Sequence, residues 1–143
     1  MTDFTKTIML AAAVLVVAGV ASAQPIKADI PFTFWAGDKL MTPGTYLVDT
    51  VTPTSGIEVF QLRNLGEHYA VMALPAAKKD AAKDWQADGK PRLAFDCGES
   101  GCSLAEIWRG STSSASYGFH RPKAHREDHI RVAVIVAQPA KGE

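Results

Sequence analysis

Apolar and polar residues alternate with a period of two through several short stretches of the chain, and each stretch ends at Gly, Pro, Asn or Ser. Such alternation puts successive side chains on opposite faces of an extended backbone, so it predicts half-buried β-strands. Ile30, Phe32 and Phe34 share one face, with Pro31 and Thr33 between them. Pro31 lacks an N–H, which places this strand at a sheet edge or at a bulge. Gly37-Asp38 and Pro43-Gly44 mark turns, and residues 45–51 form the next strand, in which Tyr46 packs against the first. A turn-rich segment at 52–56 leads into a strand at 57–63, and Asn64–Gly66 closes a hairpin into residues 67–74. At the end of the chain, residues 129–137 carry Ile130, Val132, Val134 and Val136 on one face, with Ala133 and Ile135 on the other. Apolar side chains on both faces predict a central strand covered on both sides.

Two segments break the alternation. Residues 75–89 are rich in Ala and Lys, which suits a short solvated helix or a loop. Residues 110–128 are the longest irregular stretch, opening on Ser111, Ser113, Ser114 and Ser116. About seven strands with no long amphipathic helix predict an all-β fold, a single antiparallel β-sandwich or small barrel with loops near 75–90 and 110–128.

The first 23 residues stand apart from this pattern. A polar start containing Lys6 precedes an apolar run over residues 7–20, and Ala21-Ser22-Ala23 supplies a small-x-small cleavage site. That sequence reads as a secretory signal peptide. The apolar run is shorter than the roughly 20 residues a spanning helix needs, and Gln24 follows the site in place of a lipid-bearing cysteine. The expectation is an exported protein of the periplasm or extracellular space, one β-rich domain over residues 24–143, with no membrane-integral part after cleavage. Fifteen basic and fifteen acidic residues balance to a formal net charge of zero. Zero charge removes the phosphate-neutralising field on which nucleic-acid binding rests.

Export bears directly on the two cysteines. Cys97 and Cys102 are the only pair in the chain, and an even count in an exported protein predicts a disulfide bond. If Gly98–Gly101 forms a four-residue hairpin loop, Cys97 lies opposite Cys102 and Phe95 opposite Leu104. Continued alternation then places Trp108 on the same face as Leu104, as a lid on the core. A redox pair would normally be spaced Cys-x-x-Cys at a helix start, so the bond reads as a structural staple.

Residues 30–37, Ile-Pro-Phe-Thr-Phe-Trp-Ala-Gly, and residues 42–48, Thr-Pro-Gly-Thr-Tyr-Leu-Val, carry a resemblance. The chain resembles a family of small, uncharacterised exported proteins of soil bacteria. Their mature N-terminus typically reads I-P-F-x-F-x-x-G, then P-A-G-x-Y-x-V. Leu104-Ala105-Glu106-Ile107-Trp108 looks similar as well, and Pro122-Lys123-Ala124-His125-Arg126-Glu127 more loosely. Thr42-Pro43-Gly44 departs from the family's Pro-Ala-Gly. The resemblance implies a β fold and export, and it implies no activity.

Candidate chemistry is sparse. His120, His125 and His129 crowd the C-terminal third, and His125 and His129 have the i, i+4 spacing that could chelate zinc or copper on a helix. Pro122 and a strand beginning near Ile130 leave that helix barely two turns, so the segment reads as a polar connection. No Gly-x-Ser-x-Gly elbow, phosphate loop or paired carboxylate spacing is present. The expectation is a noncatalytic protein without a cofactor, engaged in binding or structural association. Its candidate partners are an envelope polymer or protein. The alternative is a small metal-binding or hydrolytic protein using the histidines. Trp35 and Trp85 are the candidate binding surface, because an exposed indole stacks on a sugar or inserts at an interface.

Overall fold

The computed structural model describes residues 24–51, 58–110, 115–120 and 129–140. The expected signal peptide and His125 lie outside them. Two packed sheets confirm the all-β expectation, and the architecture is a sandwich. The smaller sheet contains β1 (Ile26–Ile30), β4 (Gly44–Val51), β5 (Val59–Asn64), β6 (Tyr69–Ala73) and β12 (Gln138–Pro139), in the order β12-β1-β4-β5-β6. The larger sheet runs β11-β8-β9-β10-β7. Its members are β7 (Ala77–Asp80), β8 (Arg92–Gly98), β9 (Gly101–Trp108), β10 (Ala115–Gly118) and β11 (Arg131–Val136). A small hairpin of β2 (Phe34–Ala36) and β3 (Lys39–Met41) joins it through β2, which lies parallel to β9. One helical turn and a half, α1 (Lys83–Asp88), completes the described elements.

The N-terminal motif divides where proline requires it. Ile26, Ala28 and Ile30 alternate inward along β1, with Lys27 and Asp29 outward. Pro31 cannot extend that ladder, and the chain crosses to the other sheet through Phe32. The expected single strand through Ile30 and Phe34 is therefore two strands in different sheets. Phe34 is fully buried, with its ring edge-on to Tyr46 at 5.3 Å and to Phe95 at 5.2 Å. Each buried aromatic of this kind removes enough surface from water to contribute about 2–3 kcal/mol. The chain crosses back at Thr42-Pro43. The Tyr46 hydroxyl donates to the Thr42 carbonyl at 2.6 Å, and Asn64 caps its own turn by accepting from the Gly66 and Glu67 amides at 2.9 Å. Burial comes first in raising the Tyr46 hydroxyl above its ordinary pKa, with the hydrogen bond to Tyr69 adding to it.

Cys97 and Cys102 are bonded, with Cα atoms 4.0 Å apart and directly opposite each other, and Phe95 faces Leu104. The hairpin loop is tighter than expected: Gly98 pairs with Gly101, leaving Glu99 and Ser100 as the turn. Gly101 sits at φ +111°, a conformation that disfavours any residue with a Cβ. Beyond Leu104 the register shifts, because Ala94 pairs with Glu106 and Ala105 is the extra residue of a β-bulge. The bulge reverses the alternation, so Ile107 points into the core and Trp108 points out of it. This corrects the expectation that Trp108 shares a face with Leu104.

Residues 75–89 also resolve differently from the expectation. Their first part is β7, paired with β10, and only their second part is helical. Trp85 on α1 stacks on Trp108 with ring centroids 6.3 Å apart, forming a second, smaller core with Ala81 and Ala94. Arg92 places its guanidinium 5.9 Å from the Trp85 ring and pairs with Asp88. The helix ends at Gly89 in the left-handed region, and Gly110 packs so closely that a Cβ there would meet the Gly89 carbonyl at 2.9 Å.

A candidate binding face on the larger sheet

Strand register sorts the outward side chains of the larger sheet into rows. In one row, Leu40 of β3 pairs with Trp35, Trp35 with Ser103, Ser103 with Asp96, and Asp96 with Val132. A second holds Glu106, Ala94 and Val134, and a third holds Lys79, Ser116, Trp108, Arg92 and Val136. Directly paired residues on neighbouring strands share a face, so these side chains form one continuous outer surface. Helix α1 covers Trp108 of the third row through Trp85. A groove of about 460 Å³ lies on this face, lined by Lys79, Asp96, Glu106 and His120 among Ala94, Ala105, Phe119 and Val132.

The polar groups of this groove are held by the strands beneath them. The Glu106 carboxylate accepts from the Ser116 hydroxyl on one oxygen and lies 3.8 Å from the Lys79 ammonium on the other. Ser116 is fully buried beneath that contact, so its hydroxyl has no path to a substrate. Ser103 is 2% exposed, and its hydroxyl finds no hydrogen-bond partner among the described residues. On the opposite, inner face, the Tyr117 hydroxyl is pushed up to about 12, first by burial and then by the Glu58 carboxylate beside it.

The candidate residues separate on this framework. Trp35 is half-buried on the outer face, in the same row as Asp96. Trp85 is 8% exposed and belongs to the second core, which removes it from the binding surface. His120 is exposed and lines the groove, whereas exposed His129 lines a different one of about 500 Å³ beside Cys97, Glu99 and Arg131. Among the described residues, no three His, Cys, Asp or Glu side chains converge as a metal would require.

The largest departure concerns the last strand. Residues 129–137 are expected at the centre of a sheet, but among the described residues β11 is its terminal strand, paired only with β8. Ala133 and Ile135 pack toward the core, while Val132, Val134 and Val136 are 63%, 42% and 52% exposed. Periodicity reports which residues are apolar and not what lies against them. Asp96, Glu106 and Lys79 escaped sequence reasoning because strands far apart in the chain assemble the groove. The one usable signal was Asp96 and Glu106, both polar, within apolar β8 and β9.

Among the described residues, no helix is long and apolar enough to cross a membrane. Comparison with protein-family models, curated proteins and solved structures returned no match.

Proposed function

We propose that residues 24–143 act as an exported, noncatalytic domain that associates with an envelope polymer or protein through the outer face and edge of its larger sheet. One observation carries this reading. The polar groove of Lys79, Asp96, Glu106 and His120 adjoins a strand whose three outward valines have no cover among the described residues. A groove of this size with a few convergent polar groups is the usual form of a ligand site, and an apolar strip beside it supplies desolvation energy on contact. Export is supported by the signal-peptide pattern of residues 1–23 and by a disulfide compatible with an oxidising compartment.

The test is co-sedimentation of the disulfide-intact protein with washed envelope fragments. The Asp96→Ala, His120→Ala double variant is expected to lower the bound fraction at least about tenfold without changing the melting temperature. Wild-type protein that stays in the supernatant, or a double variant that binds as well as wild type, defeats the reading. The histidine alternative is separated by elemental analysis of untagged protein. A stoichiometric metal that disappears in the His125→Ala, His129→Ala variant would establish it instead.

A further inference from the structure

Strands at the ends of β-sheets present unpaired N–H and C=O groups, and proteins guard them with brevity, charge, proline or cover. Among the described residues, three of the edges are guarded in one of these ways. β12 has two residues and ends in Pro139, and β3 has three and begins with Lys39. β7 carries Lys78, Lys79 and Asp80 in its four positions. β6 has five residues and borders a groove of about 640 Å³ that Asp38 and Lys39 of the β2–β3 turn also line. Among the described residues, β11 is the longest edge strand. It has six residues, reading Arg-Val-Ala-Val-Ile-Val, with neither proline nor glycine, and its one charge is at the first position.

We propose that β11 pairs antiparallel with β11 of a second copy, about a twofold axis through Val134, joining two larger sheets edge to edge. The proposal rests on the reading of this sheet's outer face and edge as the association surface, and it names a second copy as one partner. Facing side chains on paired strands must point to the same side, so residues can only meet others of the same parity. Centring on Val134 sets Val134 against itself, Val132 against Val136, Ala133 against Ile135 and Arg131 against Ala137. This register pairs residues 132–136 of the two strands with one another and sets Arg131 just beyond them. It continues the outer valine strip of one copy into that of the other, and it keeps the inward pair Ala133–Ile135 on the core side. Each Arg131 faces a neutral residue, and a chain of zero formal net charge meets its copy without overall repulsion. A single strand pair buries less than a standard interface, so the dimer is expected to be weak and concentration-dependent.

Sedimentation equilibrium of the disulfide-intact protein from about 1 µM to 1 mM tests this. Wild type is expected to shift from monomer to dimer across the range. Val134→Lys places two ammonium groups face to face at the axis and should remain monomeric with an unchanged near-ultraviolet circular dichroism spectrum. Met72→Lys, on the edge of the smaller sheet, should dimerise as wild type does. Wild type that is monomeric throughout, or a dimer that survives Val134→Lys, overturns the proposal.

Cross-linking fixes the register independently. Directly opposed Cα atoms are about 4.5–5.5 Å apart, within disulfide range, so Val134→Cys should oxidise to a covalent homodimer. Val132→Cys alone is displaced by four residues, roughly 13 Å, from its own copy and should cross-link only when Val136→Cys is also present. Cross-linking by Val132→Cys but not by Val134→Cys would place the axis elsewhere and overturn the proposal. Failure of this pairing is distinguishable from failure of the envelope reading, because envelope co-sedimentation is lost through the groove variant and not through the oligomeric state.

Discussion

The outer face of the larger sheet has two halves that treat apolar side chains in opposite ways. At the β9 side, Trp108 emerges from the sheet and the chain supplies its own cover, Trp85 of α1, leaving Trp108 2% exposed. At the β11 side, Val132, Val134 and Val136 emerge from the same sheet and nothing described covers them. Both strands pair with β8, but β9 is internal and β11 lies at the edge, and they differ also in what packs above. Cover in cis turns an outward residue into core. Its absence leaves a surface whose burial is available to a partner.

Substitutions should show this contrast most strongly at the tryptophan. Trp108→Ala is expected to cost about 3–5 kcal/mol in urea unfolding, because it empties the second core, whereas Val134→Ala should change the monomer's stability by less than about 0.5 kcal/mol. Equal effects at the two sites would erase the distinction. Gly110→Ala comes next, at about 2–3 kcal/mol. Its φ of +93° and the contact of a Cβ with the Gly89 carbonyl both oppose the change, and helix α1 should lose its seat on Trp108. Loss of the Trp85–Trp108 near-ultraviolet signal would report that directly.

The Cys97–Cys102 bond lies on the β8–β9 hairpin that both halves share. Cys97→Ser with Cys102→Ser should cost about 2 kcal/mol in the chain-entropy model for so short a loop, with Val132 and Trp108 environments otherwise preserved. Free-thiol titration of denatured, unreduced protein should find essentially none. A smaller effect tests the inner face as a control. The Tyr117 hydroxyl is raised above its unfolded value near 10, so its contribution is fully present below pH 10. It is then lost as pH rises toward about 12. Tyr117→Phe should flatten part of that alkaline loss of stability, by up to about 2 kcal/mol, and an unchanged pH profile would contradict the assignment.

Much of this was legible in the residue pattern, and the failures have identifiable causes. The alternation of β4, β5 and β6 read correctly because each has one buried and one more open face. The facing of Phe95 with Leu104 followed from counting back from paired cysteines. Counting failed beyond Leu104 because a bulge inserts Ala105 without any glycine or proline to announce it. β7 was missed because all four of its residues are exposed, so burial leaves no periodic trace. Phe34 is buried and Phe32 packs half-buried against the core, but the sheet that Phe34 joins depended on where Pro31 lets the chain cross.

The amino-acid sequence by itself determined that this chain builds strands, which residues are apolar, and that its two cysteines can meet across a turn. These are consequences of side-chain chemistry and of a backbone period that acts over a few residues. Tertiary structure alone decided that the valines of β11 face outward at an edge while Trp108 is covered. It also decided that Asp96, Glu106, Lys79 and His120 share one groove. Those outcomes depend on which distant strand lies alongside, and hydrogen-bond pairing between backbones carries almost no side-chain signature from which to read it.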